Sequence, residues 1–333
     1  MTPPGPTWLI TGGAGFIGSN LVRLILQSRP DVHVINLDAL TYAGNPDNLT
    51  ELDHHPRHEF IHADIRDAQA VRPHMRRADV VLHLAAESHV DRSIADPQPF
   101  ISTNVLGTQT LLDLARLTPG DRRFVYVSTD EVYGHLPLDH PDQRFTEQSP
   151  LQPRSPYAAS KASADLLAQA AHHTFGLDVI VARCSNNLGP RQLPEKLIPR
   201  FITNLAHDHA VPLFGDGLHV RDWIHVDDTC EALCLLAERA RPGSVYNVGA
   251  HNERSNLELT HTLLDLLGKD RSLITHVADR TGHDRRYALD AARLQHDLNW
   301  RPTRSAWPEA LAETVRWYLD HPDWLERAAR SLP

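Results

Sequence analysis

An α/β fold built around a doubly wound parallel sheet is what this sequence predicts, and three observations carry that reading. Trp8-Leu-Ile10 is a short apolar run that enters a glycine-rich turn, Thr11-Gly-Gly-Ala-Gly-Phe-Ile-Gly18, and leaves it through an amphipathic stretch to about residue 27. Further apolar runs at 32–37, 59–63, 80–84, 123–127 and 178–183 alternate with helical stretches at about 67–76, 97–117 and 156–175, the rhythm of a parallel sheet with right-handed crossovers. Polar residues stand just past several of these runs, at Asp38, Asp64 and Ser128-Thr-Asp-Glu131, where open α/β sheets gather their ligands.

In the first unit, glycines at 13, 15 and 18 satisfy G-x-G-x-x-G, and those at 12, 15 and 18 satisfy the T-G-x-x-G-x-x-G variant. Glycine lets the backbone turn tightly and approach a pyrophosphate, whose charge then sits at the helix N-terminus. Gly12, Gly15, Phe16, Ile17 and Gly18 are therefore expected cofactor contacts, and the sheet is expected to be Rossmann-type. The second run ends in Asp38, 20 residues past Gly18. An acid there accepts hydrogen bonds from the adenosine ribose hydroxyls and repels a 2′-phosphate. Ala39 follows where NADP would favour a basic residue, so the expected cofactor is NAD. The third run ends at Asp64-Ile65, placed to flank the adenine. The fourth ends at Leu84-Ala85-Ala86, whose small residues let backbone approach the cofactor.

The fifth run leads into Ser128-Thr-Asp-Glu-Val-Tyr-Gly134. Adjacent carboxylates repel, so a cleft can keep one protonated while the other stays ionised, which supplies an acid and a base together. The plain alternative is a solvated turn, which Thr, Asp, Glu and Gly all suit. Beyond it, Ser155-Pro-Tyr-Ala-Ala-Ser-Lys161 opens a helix. Tyr157 and Lys161 are four apart and share one helical face, and an ammonium near the phenol would lower the tyrosine pKa towards that of a useful base. Y-x-x-x-K alone is common by chance; behind a glycine motif and a Ser-Thr strand end it is specific.

Composition excludes several function classes. With 41% hydrophobic and 23% charged residues and a net charge of -9, the chain is ordinary for a globular protein and lacks the basic footprint of a nucleic-acid binder. No run approaches the ~20 apolar residues of a membrane span, and no basic segment leads into an apolar one near the first residues, so neither a membrane span nor export is expected. Three cysteines, Cys184, Cys230 and Cys234, make no disulfide framework, which points to a reducing, cytoplasmic setting. Cys230 and Cys234, one turn apart in a helix expected at 229–240, read as core residues. The 22 histidines are scattered and form no H-E-x-x-H motif, so no metal site is expected.

With these residues in place the chain resembles the extended short-chain dehydrogenase/reductase superfamily and, more closely, its dTDP-glucose 4,6-dehydratases. The resemblance covers nearly the whole chain. Its blocks are Leu40-Thr-Tyr-Ala-Gly-Asn45, Ala86-Glu-Ser-His-Val-Asp-Arg-Ser93, Ser128–Gly134, Ser185-Asn-Asn187, Pro194-Glu-Lys-Leu-Ile-Pro199 and Gly282-His-Asp-Arg-Arg-Tyr287. The Asp130-Glu131 pair is the sharpest discriminator, since related epimerases and decarboxylases of sugar nucleotides generally lack it.

The resemblance implies dehydration of dTDP-glucose to the 4-keto-6-deoxy sugar, with NAD regenerated in each turnover. Tyr157, supported by Lys161, would take the C4 hydroxyl proton while hydride passes from C4 to NAD, with Thr129 bonded to that oxygen. Glu131 would remove the C5 proton as Asp130 protonates the departing C6 hydroxyl, and hydride would return to C6. It adds Leu40, Thr41 and Asn186 to the cofactor contacts. For the substrate it implies Ser88, Asn187, Glu195, Lys196, Leu197, Pro199, Pro212, Phe214, Asn256, Asp284 and Tyr287. Arg221 and Arg286 would neutralise the diphosphate, as guanidinium forks match phosphate oxygens. Bland readings stand beside these: a surface ion pair, a helix cap at Asn256, or a core aromatic at Tyr287. It also implies a homodimer through helices at 97–117 and 156–175.

The division expected is a NAD-binding Rossmann-type domain over 1–187 and a smaller α/β sugar-nucleotide lobe over 188–333, interleaved with it. The polar stretch 135–149 reads as a mobile loop beside the site. Late helices at 290–298 and 307–320 carry Trp307, Val315, Trp317 and Tyr318 as core stripes. Leu188 and Arg191 depart from tyrosines common in the family, a change expected to alter the sugar pocket; Ala39 and Thr281 depart as well. Two other readings stay open: a UDP-sugar 4-epimerase or decarboxylase on the same fold, and a catalytically silent NAD-binding sensor.

Overall fold

The computed structural model describes residues 5–330. In chain order its first half runs β1 (Thr7–Thr11), α1 (Phe16–Ser28), β2 (His33–Asp38), β3 (His58–His62), α2 (Ala68–Met75), β4 (Val80–His83), α3 (Val90–Ala95), α4 (Gln98–Phe100), α5 (Thr108–Leu117), β5 (Arg123–Thr129), α6 (Pro156–Phe175) and β6 (Asp178–Cys184). The second half adds β7 (Asn186–Leu188), α7 (Leu197–Ala206), β8 (Val211–Phe214), β9 (Val220–His225), α8 (Val226–Arg239), β10 (Val245–Val248), β11 (Glu253–Ser255), α9 (Asn256–Leu267), β12 (Ile274–Val277), α10 (Ala292–Leu298), α11 (Glu309–Asp320) and α12 (Pro322–Arg330).

Seven strands form one parallel sheet in the order β10-β6-β5-β4-β1-β2-β3. The strand order reverses between β1 and β4, which opens a crevice at their carboxyl ends. Both faces are covered, as parallel sheets require. Leu21 and Ile25 of α1 pack with Leu233 and Leu236 of α8 on one side, and Val71, Leu111, Ala164 and Ala168 of α2, α5 and α6 on the other. A third apolar cluster, including Ile202, Leu263, Leu311 and Tyr318, joins α7, α9 and α11 below the crevice. Cys230 and Cys234 are fully buried on α8, and burial pushes both thiols up.

The second half returns to the first. β10 pairs with β6 at the sheet edge, Val245 opposite Val181, and α8 packs on α1. The remaining strands make a three-stranded sheet, β11-β9-β7, and a β12-β8 pair.

α6 begins and ends where its residues direct. Ser155 accepts from the Ala158 N–H at 3.1 Å and Pro156 takes the first position, while Gly176 closes the helix in the left-handed region at φ 71°. The helix expected at 97–117 runs over 98–117, and its middle, Ile101–Gly107 between α4 and α5, is π-helical. Gly107 lies against Ile65, whose Cδ1 would be 2.6 Å from a Cβ there, and the widened turn seats a buried Asn104.

The 135–149 stretch is tied down and lies off the crevice. Phe145 stacks on Tyr133 with centroids 4.9 Å apart, and the Arg286 guanidinium donates to the carbonyls of Pro141 (2.5 Å) and Gln143 (2.9 Å). Two further expectations are corrected here. Leu188 is fully buried in the third cluster, and Arg191 lies 5.4 Å over the Trp317 ring with Nη1 3.3 Å from Asn20 Oδ1. Neither residue lines the cavity; both sit behind its wall.

Candidate active site

One cavity of about 910 Å³ runs along the carboxyl ends of β1, β2, β4, β5 and β6, with the segments around 192–201, 212–214 and 280–287 as its far wall. Gly12, Gly15, Phe16, Ile17 and Gly18 line one end. A Cβ on Gly18 would fall 2.1 Å from the Gly12 carbonyl oxygen, so only glycine lets α1 start this close to the turn. The N-terminus of α1 has no side-chain cap and no acidic residue in its first turn, which leaves N–H groups and the positive dipole end for an anion. Buried Asp38 accepts from the Ala14 N–H at 2.9 Å and the Leu40 N–H at 2.8 Å, and burial pushes its pKa up. Its spare lone pairs suit ribose hydroxyls. These features fit NAD.

Thr41, Asp64, Ile65, Leu84, Ala85, Ala86 and Asn186 line the same end. Leu40 does not. It takes a left-handed conformation, φ 50°, packs its side chain on the core, and reaches the site only through its N–H on Asp38. Asp64 pairs with Arg66 at 2.6 Å, which holds its carboxyl below the usual range.

The strand end of β5 and the first turn of α6 meet in mid-cavity, where Thr129, Asp130, Glu131, Tyr157 and Lys161 all line the wall. β5 hands over to a 3-10 turn, Asp130–Tyr133, capped by Thr129. The Thr129 hydroxyl accepts from the Glu131 N–H and donates to Asp130 Oδ1, each at 3.3 Å. Burial, then the Glu131 charge, drives the Asp130 pKa far up. Burial also raises Glu131, while Arg221 and Lys196 pull it back. The pair thus has the separated environments that let one carboxyl hold a proton while its neighbour accepts one.

The tyrosine differs from expectation. Lys161 donates to the Val127 carbonyl at 2.7 Å and lies 4.4 Å over the Tyr126 ring, and burial brings its pKa down to about 8. That carbonyl takes one of its three N–H donors. Burial and the Glu131 charge instead push Tyr157 well above its ordinary value, and a hydrogen bond with Thr129 pulls it back.

At the other end Ser88, Asn187, Glu195, Lys196, Leu197, Pro212, Phe214, Arg221, Asn256, Asp284 and Tyr287 line the cavity. Arg221 lies 4.4 Å over the Tyr287 ring, whose hydroxyl donates to Asp284 Oδ2 at 2.6 Å. The cap of α9 is Ser255, in a capping box with Glu258, so Asn256 is released to the cavity. Pro199 is buried inside α7 and Arg286 is spent on the 140–143 carbonyls, so neither reaches the cavity.

Sequence reasoning missed the ion pairs that close this end. Arg92 meets Glu195 at 3.0 Å, Lys196 donates to the Ser88 carbonyl at 3.0 Å, and Arg280 Nη2 meets Asp91 Oδ2 at 2.9 Å. Arg92 and Asp91 stood inside the Ala86–Ser93 block, where only Ser88 was singled out. Buried atoms without a protein partner cluster on the same walls: Ser128 Oγ, Asp130 Oδ2, Asn186 Oδ1, Asn187 Oδ1, Glu195 Oε1 and Asn256 Oδ1. Buried polar atoms are nearly always paired, so these walls suit a polar ligand.

Among the described residues, His219, Asp279 and His283 bring metal-ligand atoms within 4.8 Å of one another. The imidazoles are stacked, 3.7 Å between centroids and 17° between planes, whereas a cation must lie in both ring planes at once. Arg285 Nη1, 3.3 Å from His219 Nε2, adds a competing positive charge.

A Rossmann-type cofactor end joined to a Tyr-Lys helix and an acid pair defines an extended short-chain dehydrogenase/reductase of the nucleotide-sugar dehydratase class. The family model described as GDP-mannose 4,6 dehydratase matches residues 9–313. The dTDP-glucose 4,6-dehydratase of Streptomyces griseus is 55% identical over 329 residues, covering 98% of each chain. The structure of DesIV, the dTDP-glucose 4,6-dehydratase from Streptomyces venezuelae with NAD and TYD bound, superposes with a TM-score of 0.93 at 51% identity, over 97% of this chain and 99% of that one. A UDP-glucose 4-epimerase from Thermotoga maritima shares the fold at a TM-score of 0.87 and 28% identity, over 95% and 99%. The chain belongs to the dTDP-glucose 4,6-dehydratase family.

Proposed function

We propose that this enzyme binds NAD along Gly12–Gly18 and Asp38, binds dTDP-glucose against the far wall, and converts it to dTDP-4-keto-6-deoxy-glucose with loss of water. The observation that carries this reading is the Asp130-Glu131 pair beside Tyr157 in one cavity. When bound, NAD takes up hydride from C4 and gives it back at C6. Tyr157, as the phenolate that the positive nicotinamide of bound NAD and the Lys161 ammonium one helical turn away would favour over the neutral phenol, accepts the C4 hydroxyl proton, and the Thr129 hydroxyl orients that oxygen. The C4 ketone acidifies C5–H. Glu131 then takes the C5 proton, its carboxylate favoured by Arg221 and Lys196, while Asp130, kept protonated by burial, donates to the C6 hydroxyl as it leaves. In the elimination one C–H and one C–O bond break and one water departs; after the reduction at C6, Glu131 would return its proton to C5, and the proton taken up by Tyr157 would pass to solvent while Asp130 regains one, which leaves every group as it began.

Ile101, Leu106 and Leu166 expose apolar surface around α5 and α6, which supports a homodimer through those helices; sedimentation at micromolar concentration reads it directly. No helix of the described residues is long and apolar enough to cross a membrane, and three free cysteines support a reducing, cytoplasmic setting.

The test is incubation of the purified protein with dTDP-glucose, without added NAD and in parallel with UDP-glucose, following loss of one water by mass spectrometry. Product from dTDP-glucose that disappears in Glu131→Gln supports the reading. No water lost from either nucleotide, even with NAD added, overturns it.

A further inference from the structure

His83 closes β4 in the middle of the sheet, fully buried between the edges of the Phe124 and Tyr126 rings, 5.9 and 5.6 Å away between centroids. Nothing in the proposed chemistry uses it. Its Nδ1 is 2.7 Å from Thr11 Oγ1 and its Nε2 is 2.9 Å from Thr108 Oγ1. The Thr108 hydroxyl gives its only proton to the Asn104 carbonyl at 2.6 Å, so it can only accept from His83. The imidazole is therefore the neutral Nε2–H tautomer, and Nδ1 accepts the Thr11 proton. Thr11 Oγ1 in turn accepts from the Ala85 N–H at 3.3 Å. On the far side the Asn104 side chain bonds the Glu87 backbone in both directions, at 2.8 and 3.0 Å, and donates to Ser160 Oγ at 2.8 Å. Ser160 Oγ donates to the Tyr157 carbonyl at 2.7 Å.

Every donor in this chain points the same way, from the Ala85 amide at the cofactor end to Asn104, whose side chain reaches the helix turn that carries Tyr157. We infer that His83 is a positioning residue that fixes the glycine-turn strand and the catalytic-tyrosine helix relative to one another through one buried imidazole with two separable arms. The Nδ1 arm holds Thr11 and Ala85 against the cofactor; the Nε2 arm holds the widened turn at Asn104 and, through Ser160, the first turn of α6. Burial and the nearby Lys161 charge keep the ring neutral, its pKa down to about 3, so the tautomer persists across the working range. The inference rests on the assignment of Tyr157 and the glycine turn made above.

The arms can be cut singly with isosteric variants of the intact enzyme. Thr11→Val should weaken NAD binding about tenfold, read by calorimetry on protein stripped of nucleotide, and leave kcat at saturating NAD within about twofold, the scale of one well-placed hydrogen bond. Thr108→Val should do the reverse, lowering kcat about tenfold while the NAD dissociation constant stays within about twofold. His83→Asn, which keeps a group at the Nδ1 position, should follow Thr108→Val; His83→Gln, which reaches the Nε2 position, should follow Thr11→Val. Nitrogen NMR of the labelled wild-type protein should show the neutral Nε2–H tautomer unchanged from pH 5 to 9. Equal effects of both threonine variants on both constants, a melting-temperature loss with neither constant moved, or a ring that titrates in that range would overturn the inference. An inactive wild-type protein would sink the dehydratase reading instead, and leaves the NAD-binding and NMR arms to decide this one.

Discussion

The cavity wall at the ends of β1, β2 and β4 is held by backbone bonds and close packing: Ala14 and Leu40 amides on Asp38, Gly18 against Gly12, Ala85 on Thr11. The opposite wall is held by charges brought from far apart in the chain, Arg280 with Asp91 and Arg92 with Glu195. Between them stands the acid pair, with a buried Arg183–Asp165 bridge supporting α6 and β6 from behind. The first wall is a scaffold held by the chain's own backbone groups. The second is a set of part-exposed pairs that water and salt can compete for, a wall suited to letting a substrate in and out while the cofactor stays.

The acid pair gives the largest expected effect. Asp130→Asn keeps the shape but cannot release a proton, and kcat should fall by roughly 10² to 10⁴. Because burial penalises the carboxyl, the melting temperature should stay level or rise; a lower one would mean the side chain serves the fold. Next comes the scaffold. Arg183 and Asp165 are bidentate, both bonds at 2.9 Å, and Asp165→Asn leaves a buried cation without its countercharge, so urea unfolding at pH 7 should lose about 3–5 kcal/mol.

A pH experiment sharpens the same contrast. Lys161 sits at about 8 in the folded protein against 10.5 free, so between those values the unfolded chain binds more protons and stability contributed by this group rises with pH. Below about 8 its contribution is flat and at its minimum. The unfolding free energy of wild type relative to Lys161→Met should climb over that window; a level difference would show an ammonium that is not desolvated. The smallest effect belongs to the charged wall: Arg280→Gln should raise the KM for dTDP-glucose about threefold at low salt, with NAD retention untouched. An equal loss of NAD would dissolve the distinction between the walls.

What was legible in the sequence follows the same line. The glycine turn, Asp38 and the Tyr157–Lys161 spacing are local, since a few consecutive residues set both conformation and chemistry. The doubly wound sheet follows from the alternation of runs. The Arg280–Asp91 pair spans 189 positions, and no local pattern encodes it. Arg286 failed because its type matched a phosphate ligand while its carbonyl partners were set by the tertiary course of 140–143. The Tyr157–Lys161 spacing fixes a helical face but not which acceptors the ammonium meets, and the Val127 carbonyl could not be read from it.

The strand β10 and the tryptophan of α12 have a consequence for the making of the protein. The sheet edge at β6 stays bare until residues 245–248 arrive. Trp324 Nε1 donates to Asn48 at 3.0 Å, and Asn48 donates to the Ala14 carbonyl in the glycine turn at 2.9 Å. A chain made only as far as residue 187 would present β6 as an open edge prone to pairing with its neighbours. The glycine turn of the cofactor pocket gains its brace from Trp324 only once α12 has been made.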